Sequence, residues 1–330
     1  MKRIITTLIF VLCITMIWSQ KHSYTLTIPI NVSALEGKCA YLADMDAESP
    51  NENNSVWATI EDGKIIIKGA ISQPTMKMLF VEKKRVRAIL IEPGEIVADQ
   101  KMQYFTGTPL NDAYTSFQKE SIKLQKDSLG LFLKELKAFV LKHNNDLAGL
   151  MALASCQEML DLEDRLSLVS SCGEIIKDNP SIKKNIELWK NEYITRPGQK
   201  FVDLELTTEG NMQRLSDYVG KGYYVLVNFW APWCKFSREE MPNLINIYNE
   251  YMDKGLRIIG VACGGIEESK KVIDEFSIPY PQMFTSQSGI ESLYGIDKYP
   301  EIILFSPDGT IVDRWLRGDD LAKLLEKTIK

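Results

Sequence analysis

The side chains with the most chemical potential lie in one stretch, Trp233-Cys234-Lys235-Phe236-Ser237-Arg238-Glu239-Glu240. Cys234 follows the apolar run Val225-Leu226-Val227-Asn228-Phe229-Trp230 and precedes an amphipathic run over residues 237–252. That order places a thiol between the end of a buried strand and the start of a helix. A helix N-terminus offers unpaired N–H groups and a partial positive charge, and both favour thiolate over thiol. Lys235 adds a positive neighbour, and Trp233 can shield one side of the sulfur. The chemistry to expect is therefore nucleophilic attack by sulfur. The chain has only two histidines, His22 and His143. Their scarcity argues against a His-based metal centre or a Ser-His-Asp enzyme. It also removes the commonest general base and leaves Glu240 as the candidate for proton transfer near Cys234.

The other cysteines are less well placed. Cys263 follows the apolar run over residues 256–262. If that strand pairs in parallel with the one leading to Cys234, both end on the same sheet edge. Cys263 is then a candidate resolving thiol, the alternative being a partly buried loop residue. Cys156 and Cys172 fall in neighbouring helical stretches. They either staple an αα-hairpin or remain two buried thiols. Cys39 reads as a small core or edge residue.

These cysteines need a compartment. The basic start Met1-Lys2-Arg3, the mostly apolar residues 4–18 and the polar Ser19-Gln20-Lys21 have the pattern of an export signal over residues 1–20. The expected location is the periplasm or cell envelope, where disulfides persist. An uncleaved anchor is the alternative, although the apolar run is short of a membrane span. Leu12 before Cys13 argues against lipidation there. Cleavage removes Cys13 and leaves five cysteines, an odd number, so at least one has no intramolecular partner. With 39 basic and 44 acidic residues among 330, and a net charge of −5, the chain has no electrostatic footprint for nucleic acid. Nothing in it calls for a metal or a cofactor.

Three segments must position the thiol. Residues 21–108 read as an antiparallel β-domain, with Asp62-Gly63 as a hairpin turn between β-branched runs. Lys83-Lys84-Arg85 forms a charged turn between two further strands. Residues 109–195 are helical. Leu129, Phe132, Leu136 and Phe139 share one face, two more helices cover residues 147–160 and 162–176, and Ser181 caps the next after Asn179-Pro180. From residue 196 to 330 the pattern alternates β and α. It ends in a hairpin at Asp308-Gly309 and a closing helix over residues 319–329.

This last segment resembles the thioredoxin superfamily, and more closely its TlpA/ResA-like, AhpC/TSA-related extracytoplasmic branch. The resemblance rests on Phe229-Trp230-Ala231-Pro232-Trp233-Cys234, Leu215-Ser216-Asp217-Tyr218, Glu240-Met241-Pro242, Tyr299-Pro300 and Pro307-Asp308-Gly309. It implies a thioredoxin fold, a cis Pro300 that with Trp233 and Tyr299 binds the substrate chain, and catalysis by Cys234. Residues 56–71, Leu90-Ile91-Glu92-Pro93-Gly94-Glu95 and Gly107-Thr108-Pro109-Leu110-Asn111-Asp112 resemble the β-domain of unknown function that precedes such domains in exported bacterial proteins.

One position departs from the family's C-x-x-C. The chain has Cys234-Lys235-Phe236-Ser237, so the resolving cysteine is a serine. Ser237 cannot displace a substrate from a mixed disulfide, but its hydroxyl can donate to the Cys234 thiolate. Monothiol disulfide exchange is the first expectation. Its partners are protein substrates with disulfides or thiols and an external thiol or redox partner. A redox-inactive thioredoxin-fold binding protein of the cell envelope is the second. Peroxide reduction is the third, and it is weakened by Ala231 where peroxiredoxins carry threonine.

Overall fold

The protein is described by a computed structural model covering residues 21–46, 55–208, 210–285 and 290–329. The expected export signal lies outside the described residues. The chain divides into two compact units, residues 1–182 and 183–330.

In the first unit, the strands are β1 (His22–Pro29), β2 (Cys39–Ala43), β3 (Val56–Glu61), β4 (Lys64–Ile71), β5 (Thr75–Val81), β6 (Lys84–Ile91), β7 (Gly94–Ala98) and β8 (Phe105–Thr106). They form one eight-stranded sheet in the order β6-β5-β2-β3-β4-β1-β7-β8. It is antiparallel except for β1 and β7, which pair in parallel. Alternate residues such as Leu26, Ile28, Leu42, Ile65, Ile67, Leu79, Ile89 and Ile96 meet in one core, as a period of two requires. Asp62 and Gly63 take positive φ in the β3–β4 turn. The turn expected at Lys83-Lys84-Arg85 is instead Glu82-Lys83, both at positive φ. A two-residue turn matches the strand twist, so Lys84 and Arg85 are already in β6.

The helices of this unit are α1 (Pro109–Asp127), α2 (Leu129–Lys142), α3 (Leu147–Cys156), α4 (Leu162–Ser170) and α5 (Glu174–Lys177). The start of α1 is tied to the sheet by Glu92, whose Oε1 accepts from the Leu110 and Asn111 N–H groups at 2.8 and 2.9 Å. The helix expected over residues 162–176 breaks at Gly173. A Cβ there would lie 2.2 Å from Asn145 Oδ1, so only glycine allows the approach. The Cys156–Cys172 staple is not formed; both are free thiols. Cys172, just past the end of α4, turns its Sγ back to the Leu168 carbonyl of that helix at 3.3 Å, and burial pushes both thiols upward in pKa. Helix α6 (Pro180–Ile194) is capped by Asn179 and not Ser181. The Asn179 Oδ1 accepts from the Ser181 and Ile182 N–H groups at 3.1 and 3.3 Å.

The second unit is built on a seven-stranded sheet in the order β10-β9-β13-β12-β11-β14-β15. Its strands are β9 (Glu205–Thr208), β10 (Asn211–Arg214), β11 (Tyr224–Trp230), β12 (Leu256–Cys263), β13 (Gln282–Thr285), β14 (Glu301–Phe305) and β15 (Ile311–Asp313). β11, β12 and β13 run parallel, and β14 pairs antiparallel to β11. Helices α7 (Lys235–Tyr251), α8 (Ile266–Phe276), α9 (Ile290–Leu293) and α10 (Gly318–Thr328) complete it. Along β11, Val225, Val227 and Phe229 face one core with Ile259, Val261 and Ile303. Leu226 faces the other, where Leu244, Ile247, Tyr251, Leu321 and Leu325 from α7 and α10 pack. Full burial on both sides is why β11 reads as continuous hydrophobic sequence. The order and the two helical layers are the thioredoxin fold. The β9–β10 hairpin was not expected, because Thr207 and Thr208 are too short and polar a run to stand out. The apolar sequence over residues 311–316 reads as one strand, but the strand stops at Asp313, and two residues on Trp315 takes φ 61°.

Within this unit, which includes α6 from residue 183 onward, Gly295 packs against the end of that helix. Its φ is +63°, and a Cβ would lie 2.4 Å from the Leu188 carbonyl and 2.6 Å from the Glu192 nitrogen. A Gly295→Ala variant is expected to lose at least about 2 kcal/mol of stability, from the left-handed backbone and the clash together. Thermal melting against wild type measures it.

Candidate active site

The site forms where β11 runs into α7. The Cys234 N–H donates to the Ala231 carbonyl at 3.1 Å, which tightens the Ala231-Pro232-Trp233 turn. Cys234 is the N-cap of α7, with extended backbone (φ −83°, ψ 117°). Its half-buried sulfur therefore stands at the helix N-terminus. The turn is backed by Gly264, where a Cβ would come within 2.8 Å of Pro232 Cδ. The Cys234 thiol donates to the Tyr299 carbonyl at 3.4 Å. That contact puts the expected proline loop beside the sulfur, and its Tyr299-Pro300 bond is cis.

Trp233 is 73% exposed and meets Tyr299 edge to face, with centroids 5.8 Å apart. It stands between two surface grooves. One, of about 650 Å³, is lined by Pro232, Arg238, Gly265, Val272 and Glu275. The other, of about 510 Å³, is lined by Lys235, Arg238, Glu239, Pro242 and Phe276. Lys235 pairs with Glu239 at 3.4 Å and is mostly exposed.

Three expectations about side chains around Cys234 change. Ser237 is fully buried, and its Oγ accepts from the Ala231 N–H at 3.4 Å. It bonds the backbone of the turn and not the Cys234 sulfur. Glu240 is committed to structure as well. Its Oε1 accepts from Asn243 Nδ2 at 2.6 Å and from the Gly318 N–H at 3.1 Å, which joins α7 to the head of α10. Cys263 ends β12 and packs among Val227, Phe229, Met283 and Tyr294. Its neighbour Ala262 packs with Trp230 and Met241 of α7. Alternation along β12 thus turns Cys263 to the sheet face opposite α7, and its Sγ lies 3.7 Å from the Val261 carbonyl.

Beneath α7, Asn228 is buried and lies beside the Tyr280 hydroxyl. That hydroxyl donates to Met241 Sδ at 3.7 Å, and burial pushes it well above the ordinary tyrosine range. An amide here cannot act as a base.

Sequence reasoning missed Glu301, Arg314 and Arg317. Arg314 Nε donates to Glu301 Oε1 at 2.8 Å, and both side chains are almost fully buried. Arg317 Nη2 donates to the Pro300 carbonyl at 2.8 Å. One signal was available: Glu301 is a charge at the head of an otherwise apolar central strand, directly after Tyr299-Pro300. Among the described residues, no group of three or more His, Cys, Asp or Glu side chains is arranged to hold a metal.

The AhpC/TSA family model matches residues 197–314. A second model, DUF4369, a domain of unknown function, matches residues 24–114. The thioredoxin-like protein YneN of Bacillus subtilis is 35% identical over 128 residues, covering 38% of this chain and 74% of that protein. The thiol-disulfide oxidoreductase ResA of Oceanobacillus iheyensis is 36% identical over 99 residues, 30% of this chain; the match spans only half of that relative's length. The thioredoxin domain of a thiol-disulfide oxidoreductase from Bacteroides vulgatus is 36% identical, covering 41% of this chain and 98% of that domain, with a TM-score of 0.38. The chain belongs to the thioredoxin-like AhpC/TSA family. Its homologues include thiol-disulfide oxidoreductases of the ResA type.

Proposed function

We propose that this protein is an exported monothiol exchange protein in which Cys234 forms mixed disulfides with protein substrates. The observation that carries the reading is the Cys234 sulfur at the head of α7, 3.4 Å from the Tyr299 carbonyl, with a serine as its helical neighbour at 237. The Cys234 thiolate attacks a substrate disulfide. The Cys234–substrate S–S bond forms, the substrate S–S bond breaks, and the second substrate sulfur leaves as a thiolate. Release requires another thiolate, from the substrate or from an external thiol. That thiolate attacks the substrate sulfur, forms a new disulfide with it and returns Cys234 as a thiolate. The cycle moves disulfides without net oxidation or reduction of the protein. Residues 1–20 direct the chain to the periplasm or cell envelope, where substrate disulfides exist.

Wild type is expected to accumulate Cys234-linked adducts on non-reducing gels of envelope extracts, and a Cys234→Ala variant none. If the two lanes are the same, the exchange reading fails. A partner that co-purifies equally with both variants then favours the redox-inactive binding protein.

A further inference from the structure

Two walls flank the Cys234 sulfur. One is α7, which carries it. The other is the Tyr299-Pro300 loop, whose Tyr299 carbonyl touches it. A short segment running from the end of β15 to the first residue of α10, residues 314–318, is bonded to both. Arg314 Nε holds the Glu301 carboxylate at 2.8 Å. The rest of its guanidinium is anchored in the unit: Nη1 donates to Thr195 Oγ1 at 2.9 Å and Nη2 to the Tyr294 carbonyl at 2.8 Å. Arg317 holds the Pro300 carbonyl at 2.8 Å. The Gly318 N–H donates to Glu240 on α7 at 3.1 Å. Residues 299, 300 and 301 are consecutive, so bonds at the second and third restrict the first. The segment itself has a specified shape, with Trp315 at φ 61° and Gly318 at φ 47°; positive φ is uncommon for a tryptophan.

We propose that residues 314–318 are a positioning strap for the exchange site, with Arg317 fixing the Tyr299-Pro300 loop against Cys234. Neither arginine touches a reacting atom. The strap sets the distance between the sulfur and the backbone edge along which a substrate peptide lies. The proposal rests on the reading of Cys234 as the exchange nucleophile, and it deepens that reading by naming a residue that controls peptide substrates in particular. Arg317 is exposed, so its removal leaves the buried Arg314–Glu301 pair and the fold in place.

The test uses the full chain, with Cys234 adducts read by peptide mass spectrometry so that Cys39 does not contribute. Wild type, Arg317→Ala and Arg317→Lys are reacted with a cysteine-peptide disulfide and with bis(2-hydroxyethyl) disulfide, which has no peptide backbone. In Arg317→Ala the peptide rate is expected to fall about tenfold, because small misplacements of a binding edge cost rate steeply. The small disulfide should react at the wild-type rate, and Arg317→Lys should recover part of the loss. Amide hydrogen exchange over residues 299–302 is expected to speed up about tenfold in Arg317→Ala as the loop is released. Unchanged amide exchange overturns the strap whatever the disulfide rates, and so does an equal fall with both disulfides. If wild-type Cys234 reacts with neither disulfide, the exchange reading fails. The amide exchange then decides the strap alone, and acceleration upholds it.

Discussion

A Ser237→Cys variant is expected to release a peptide held on Cys234 at least about a hundredfold faster than wild type does. The wild-type adduct waits for a thiol from solution. Position 237 lies in the first turn of α7, three residues beyond the N-cap Cys234, so a thiol there starts within about one helical turn of the mixed disulfide. A thiol there attacks from a fixed, short range, and positioned groups reach effective concentrations far above those of free reagents. Even an effective concentration of about 0.1 M exceeds about 1 mM glutathione a hundredfold. Ser237 is fully buried and its Oγ accepts from the Ala231 N–H at 3.4 Å, so the exchange of oxygen for sulfur weakens that long hydrogen bond. The measurement is single-turnover release of a labelled peptide from the preformed Cys234 adduct. Equal release from the two proteins would mean that residue 237 does not face the mixed disulfide.

The second large effect concerns stability. In Arg314→Met the Glu301 carboxylate loses its buried partner, which typically costs about 3–5 kcal/mol. For a unit of this size that is on the order of 10 °C in melting temperature. The double variant Arg314→Met/Glu301→Gln should recover much of the loss, because no charge is then left buried. The pair also has a pH signature. Burial lifts the Glu301 pKa from 4.5 to about 7; Arg314 pulls it down, and Glu192 of α6 adds a smaller push upward. The folded-state value lies above the unfolded one, so the native state holds the extra proton. This contribution to stability is complete below about pH 4.5 and is lost as pH rises through about 7. Glu301→Gln should flatten that slope, which melting curves between pH 4 and 8 would show. A slope that is unchanged would assign it to another group.

Much of this was legible in the sequence because local rules determined it. The unbroken apolar run of β11 requires burial on both faces, and the residues after it must start a helix, so Cys234 had one place to be. Asp62-Gly63 specified its turn because few residues accept positive φ. What was not legible depends on partners distant in sequence. Glu240 looked like a proton-transfer group until Gly318, 78 residues on, was found to bond it. Cys263 sat at the expected strand end, but strand alternation decided which face it took, and one residue either way would have reversed it. The Cys156–Cys172 pairing depended on helix ends that break where Gly173 meets Asn145. The apolar strand behind Glu301 hinted at a buried charge, but nothing local identified Arg314, 13 residues on, as its partner.

The central claim is that Cys234 exchanges disulfides without a resolving partner, and intact-mass spectrometry tests it most directly. Reduced wild-type protein is mixed with an excess of a cysteine-peptide disulfide, freed of reagent and followed with time. The account predicts one peptide on Cys234 that persists until an external thiol is added and then leaves. No adduct at Cys234, or an adduct that leaves unaided with an intramolecular disulfide in its place, would contradict it.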